Sequence, residues 1–118
     1  MSLGDKIFKQ IFSETEDIRG VFEILSDNKI GDYEILDKKE IKSNELLSFL
    51  SSLTSQFKEI CDSIKDSPME IIANTSDYTF LIAPLGTDGS NMIVMSRKEG
   101  NIGLIKTIVH KTVAQYKS

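Results

Sequence analysis

The stretch Ser43-Asn44-Glu45-Leu46-Leu47-Ser48-Phe49-Leu50-Ser51-Ser52-Leu53-Thr54-Ser55-Gln56-Phe57-Lys58-Glu59-Ile60-Cys61-Asp62-Ser63-Ile64-Lys65-Asp66 decides the fold. Leu46, Leu50, Leu53, Phe57, Ile60 and Ile64 recur at spacings of 4-3-4-3-4, the period of a helix with one apolar side. Ser43 or Asn44 supplies an N-cap, and Glu45 sits where the helix dipole favours negative charge. Pro68 places the end near Lys65 or Asp66, since it disfavours helical conformation in the residue before it and donates no amide. At roughly 100° per residue the apolar arc runs from Phe49 through Leu53, Ile60, Leu46, Leu50 and Cys61 to Leu47. Such an arc is expected to cover a sheet.

On the N-terminal side, Ile7, Phe8, Ile11, Phe12 and Thr15 share one helical face and predict a first helix over Asp5 to Thr15. After Gly20 the period changes: Val21, Phe22, Ile24 and Leu25 are strand formers. Ser26-Asp27-Asn28 with Gly31 supply turn chemistry before Tyr33, Ile35 and Leu36, so the segment reads as a β-hairpin. On the C-terminal side three further strand-like runs appear, Met69 to Thr75, Tyr78 to Leu85 and Asn91 to Ser96. They are linked by Thr75-Ser76-Asp77 and by a tight turn at Asp88-Gly89. A last helical stripe, Ile102, Leu104, Ile105, Ile108, Val109, Thr112, Val113 and Tyr116, follows Gly100-Asn101. The order αββαβββα predicts a two-layer α+β domain, one five-stranded antiparallel sheet covered by helices.

The chain has 118 residues, fourteen Lys and Arg against eighteen Asp and Glu, and a net charge of −4. It reads as one domain over residues 1–118, with Met1 to Leu3 given no weight, and it is apolar enough to exclude a disordered chain. The acidic balance and the lack of a Lys/Arg cluster argue against nucleic acid as partner. A single cysteine, Cys61, excludes an intramolecular disulfide and fits a reducing compartment. No stretch resembles a signal peptide or a membrane span, so the expectation is a soluble cytoplasmic protein without direct membrane insertion.

Catalytic signals are few. His110 is the only histidine and reads as an ordinary helical side chain, because one imidazole without companion ligands makes a poor metal site. No Gly-rich phosphate loop occurs, Ser26-Asp27 is turn chemistry, and Cys61 reads as an inert buried thiol. Neither a metal nor a cofactor is expected, and the chain is not read as an enzyme. Opposite the apolar arc of the central helix lie Ser48, Ser51, Ser52 and Ser55, with Asp62 and Glu59 farther along. A merely solvated face favours Lys and Glu over serine. Small side chains let another helix approach closely, so this face is expected to pack against its symmetry mate in a homodimer. The low-charge strand Met69-Glu70-Ile71-Ile72-Ala73 is expected to extend the sheet across the dimer axis, presenting Met69, Ile71 and Ala73.

Gly20-Val21-Phe22-Glu23-Ile24-Leu25, then Glu70-Ile71-Ile72-Ala73-Asn74-Thr75-Ser76-Asp77-Tyr78, then Asn101-Ile102-Gly103-Leu104-Ile105 resemble, in order and spacing, the roadblock family of dynein light chains and of regulators of Ras-like GTPases. The likeness covers nearly the whole chain after Asp17. The turn Asp27-Asn28-Lys29-Ile30-Gly31 is longer than the Asp-Gly common in that family. The resemblance implies a roadblock/profilin-like fold, dimerisation through the central helix and an adjoining strand edge, and a non-enzymatic adaptor that binds a small Ras-like GTPase and modulates or recruits it. An alternative it also implies is a light-chain-like scaffold subunit with no GTPase contact. A third reading is a small-molecule sensor, for which the sequence shows no polar residues converging on a predicted cavity. Were an arginine finger involved, only Arg19 and Arg97 could supply it; both fall in predicted connections.

Overall fold

The computed structural model describes residues 4–27, 29–37, 43–66, 70–85, 90–98 and 100–117. The elements are α1 (Gly4–Glu14), β1 (Ile18–Ile24), β2 (Ile30–Ile35), α2 (Ser43–Ser63), β3 (Ile71–Asn74), β4 (Tyr78–Pro84), β5 (Asn91–Arg97) and α3 (Ile102–Lys117). The strands form one sheet in the order β2-β1-β5-β4-β3, and every neighbouring pair is antiparallel. The class, strand number and αββαβββα order are those the sequence predicts.

Helices flank the sheet on both faces, so the expected two layers become three. Alternation along each strand feeds two separate cores. Ile18, Val21, Leu81, Ala83, Met92 and Val94 meet Phe8 and Ile11 of α1 and Ile105, Ile108 and Val109 of α3. Phe22, Ile24, Ile35, Phe80, Ile82, Ile93 and Met95 face the other way and meet Leu47 and Leu50 of α2.

Several boundaries move for physical reasons. β1 begins at Ile18 rather than after Gly20, because Gly20 lies inside the strand. A Cβ there would stand 3.2 Å from both the Met95 methyl and the Phe22 ring, so the glycine makes room for its neighbours. Arg19 is therefore in β1, and Arg97 closes β5; neither is in a connection.

β2 begins at Ile30, so Gly31 is a strand residue and not part of the turn. The turn is held by Asp27, whose Oδ1 accepts the Lys29 N–H at 3.1 Å. The length of the Asp27–Gly31 segment is absorbed in a bulge, where Phe22 pairs with Tyr33 and Ile24 with Ile30. Buried Glu23 reaches over the bulge, its Oε1 accepting the Asp32 N–H at 3.3 Å. A Cβ on Gly31 would lie 2.6 Å from that oxygen.

The strand expected over Met69 to Thr75 is Ile71–Asn74. Thr75 instead builds the turn, its hydroxyl accepting the Tyr78 N–H at 3.0 Å. Met69, Pro68 and the Asp88-Gly89 turn lie outside the described residues. α2 ends at Ser63 in a Schellman-type cap. The Asp66 N–H reaches Cys61 O at 2.9 Å and the Lys65 N–H reaches Asp62 O at 3.2 Å, with Lys65 in the left-handed region at φ 57°.

The arc of α2 is turned from its expected direction. Leu47, Leu50, Thr54 and Cys61 are buried, whereas Phe49 is 68% exposed, Ile60 57% and Ile64 65%. The predicted arc spans roughly 160°, wider than one sheet face can cover, and the helix settles with Thr54 in its buried stripe. Thr54 satisfies its hydroxyl by donating to Ser51 O at 2.8 Å. Ile102 and Leu104 of α3 are likewise exposed, and Ile105, Ile108, Val109 and Thr112 carry its packing. No helix among the described residues is long and apolar enough to cross a membrane.

Candidate interaction surface

The outward side of α2 and the free edge of β3 are the two features that the core does not use. With the buried stripe centred between Leu50 and Leu47, roughly 100° steps put Ser52 opposite it, flanked by Glu59 and Ser48 on one side and Gln56, Phe49 and Ile60 on the other. Ser48, Ser52 and Glu59 are exposed, Ser51 and Ser55 half-buried. The outward face is thus part small and polar and part apolar. Sequence reasoning missed the apolar part because Phe49 and Ile60 fit the core period as well as Leu50 does.

β3 pairs only with β4 among the described residues. Its Ile71 and Ala73 side chains pack toward the α2 core, and Ile72 points to the opposite face, 43% exposed. The other outer strand, β2, is guarded differently. It is kinked by the bulge at Gly31 and Asp32, and it carries the exposed charges Asp32 and Glu34, all of which discourage strand pairing. Tyr33 stacks on Phe22, ring centroids 6.4 Å apart, closing the α2-side core at that strand.

At one end of the sheet the two arginines converge on Asp37. Arg19 donates to Asp37 Oδ1 from Nε at 2.9 Å and from Nη2 at 2.6 Å, and the Tyr78 hydroxyl donates to Oδ2 at 3.0 Å. Arg19 and Asp37 side chains are 20% and 33% exposed; Arg97 is exposed nearby. The Arg19 hydrogen bonds hold the Asp37 carboxyl below its usual range against desolvation, with help from the Tyr78 hydroxyl and the charges of Arg19 and Arg97. The cluster ties the exit of β2 to β1 and β4. Arg19 therefore has a structural partner, which the sequence spacing of 19 and 37 does not reveal.

Because the folded pKa of Asp37 lies below the unfolded value near ~3.9, the stabilisation is complete above that pH and is lost as pH falls through the folded value. Asp37→Asn is expected to lower stability at neutral pH by about 1 kcal/mol, a modest figure because solvent screens the pair. The gap between variant and parent in urea unfolding is expected to narrow as pH falls below the usual carboxylate range; an equal gap at neutral and acid pH would refute the assignment.

His110 is an exposed residue of α3 that meets Glu70 at 2.5 Å, and Lys111 of α3 meets Glu14 of α1 at 3.2 Å. These contacts fasten α3 to its neighbours. Among the described residues no group of three or more His, Cys, Asp or Glu could hold a metal ion. Cys61 is buried in the α2 stripe.

No family model matches the chain, and no curated protein does. Solved structures do. A Roadblock/LC7 domain from Streptomyces avermitilis shares 11% identity at a TM-score of 0.77, over 98% of this chain and 96% of that one. Myxococcus xanthus MglB shares 12% at 0.77, over 92% and 89%. The gliding protein MglB of Thermus thermophilus shares 9% at 0.75, over 92% and 81%. At such identities the likeness lies in the path of the backbone: this chain has the roadblock fold.

Proposed function

We propose that the protein is a non-enzymatic homodimeric adaptor that binds a small Ras-like GTPase and modulates its nucleotide state or recruits it. The observation that supports this most is the pairing of a roadblock fold with one open sheet edge and an outward α2 face carrying exposed Phe49 and Ile60. Large exposed apolar side chains grouped on one helix mark a surface meant for protein contact. The dimer contact runs along Ser48, Ser51, Ser52, Ser55, Glu59, Phe49 and Ile60 of α2 and along Ile71 and Ala73. Met69, close before Ile71 in the sequence, is assigned to the same contact. Arg97, exposed at the end of β5, is the better placed of the two arginines to reach a GTPase, since Arg19 is engaged by Asp37.

Affinity capture from the native organism's lysate, run with a GTP analogue and with GDP, tests the reading. One nucleotide state is expected to enrich a small GTPase by about tenfold over the other, a difference of about 1.4 kcal/mol in binding. Recovery of a fixed assembly that ignores nucleotide and contains no GTPase would replace this reading with that of a light-chain-like scaffold subunit.

A further inference from the structure

The turn into β4 fixes which backbone groups of β3 are already used. Thr75 donates its N–H to Tyr78 O at 2.8 Å, so these two residues form a hydrogen-bonded pair. In an antiparallel ladder such pairs alternate with pairs whose N–H and C=O groups point away from each other. The register runs Asn74↔Thr79, Ala73↔Phe80, Ile72↔Leu81 and Ile71↔Ile82. Ala73 and Ile71 therefore bond to β4, while Ile72 and Asn74 turn their N–H and C=O groups to the free edge.

This edge suits a copy of itself. Ile72 is 43% exposed on the α3 face of the sheet, and no residue of Ile71–Asn74 is charged. The opposite margin of the sheet is closed to pairing, because β2 carries the bulge and the exposed Asp32 and Glu34. A strand that a second copy brings to this edge is then β3 again, related by a two-fold axis.

Residues opposite each other in an antiparallel ladder share one face of the sheet, which leaves axes at Ile71, Ile72 or Ala73. An axis at Ala73 sets Ile72 against Asn74 of the second copy, an amide whose Oδ1 already accepts the Thr79 hydroxyl at 2.7 Å. An axis at Ile71 sets Ile72 against Glu70 of the second copy, a carboxylate held by His110. An axis at Ile72 sets isoleucine against isoleucine and Glu70 against Asn74, so apolar meets apolar and polar meets polar.

We infer that β3 joins the β3 of a second copy with Ile72 on the two-fold axis, the two Ile72 residues exchanging N–H and C=O bonds and packing their side chains together. This placement rests on the homodimer proposed above and fixes its register. The two Ile72 Cα atoms then lie about 5.5 Å apart, within reach of a disulfide. Ile71 and Ala73 each face their own copy across more than about 7 Å, which a disulfide does not span.

Single cysteines at these positions test it. Ile71→Cys, Ile72→Cys and Ala73→Cys, each combined with Cys61→Ala in the full chain, are oxidised with copper phenanthroline and resolved without reductant. Ile72→Cys is expected to give the linked dimer at least about tenfold faster than the other two. Faster linking by Ile71→Cys or Ala73→Cys would overturn the inference. So would equally slow linking by all three in chains that light scattering shows to be dimers. A parent chain that scatters light as a monomer would overturn the homodimer reading itself, and the register with it.

Discussion

With aspartate at both Phe49 and Ile60, the protein is expected to scatter light as a monomer at concentrations where the parent, on the reading proposed above, scatters as a dimer, its dimer Kd raised at least about 100-fold. The estimate follows from area and charge. Two large apolar side chains per protomer, each contributing about 1.5–3 kcal/mol when fully buried, would be replaced by carboxylates that face their own symmetry copies across a two-fold axis. Since Phe49 and Ile60 are exposed in the single chain, the fold is expected to survive, which far-ultraviolet circular dichroism would show. The companion variant Ser52→Arg probes the centre of the outward face. A dimer that tolerates all three substitutions would remove α2 from the interface and leave the β3 edge to carry it alone.

Phe22→Ala is expected to cost about 4 kcal/mol of unfolding free energy, a large share of the roughly 5–15 kcal/mol that holds a domain of this kind together. Phe22 is fully buried, lies in the α2-side core, stacks on Tyr33 and fills the space that Gly20 leaves empty. Three elements therefore lose contacts at once. Urea unfolding at a fixed protein concentration measures the effect and keeps any dimer contribution constant. Phe22→Leu is expected to cost less than about 1.5 kcal/mol, because most of the volume remains. A loss below about 1 kcal/mol for alanine would show that the α2-side core is loosely packed.

Helical periodicity, runs of strand formers and the turn residues between them made the architecture legible, and the αββαβββα order followed. Details governed by three-dimensional neighbours were not legible. Gly20 reads as punctuation in a sequence, and only the Met95 methyl and Phe22 ring beside it explain a glycine inside β1. Gly31 reads as a turn residue, and only Glu23 above it explains a bulge. In α2 the apolar arc was wider than the sheet could accept, and Thr54 could take a buried place because its hydroxyl bonds back to Ser51. For the candidate surface, the serines were visible in the text, but the exposure of Phe49 and Ile60 was not. The engagement of Arg19 by Asp37 was equally hidden, since it joins residues brought together by the end of the sheet.

If copies join through β3 as proposed, the unequal treatment of the two outer strands sets how many can do so. A sheet that welcomed partners at both margins would have a valence of two per molecule and could grow without end into fibres. Here β2 is bulged and carries exposed charges while β3, Ile71–Asn74, carries none, so the proposed mode of joining gives each molecule a valence of one. In the dimer proposed above, two such molecules meeting about a two-fold axis would consume each other's open margin, and the ten-stranded sheet would have nowhere further to grow.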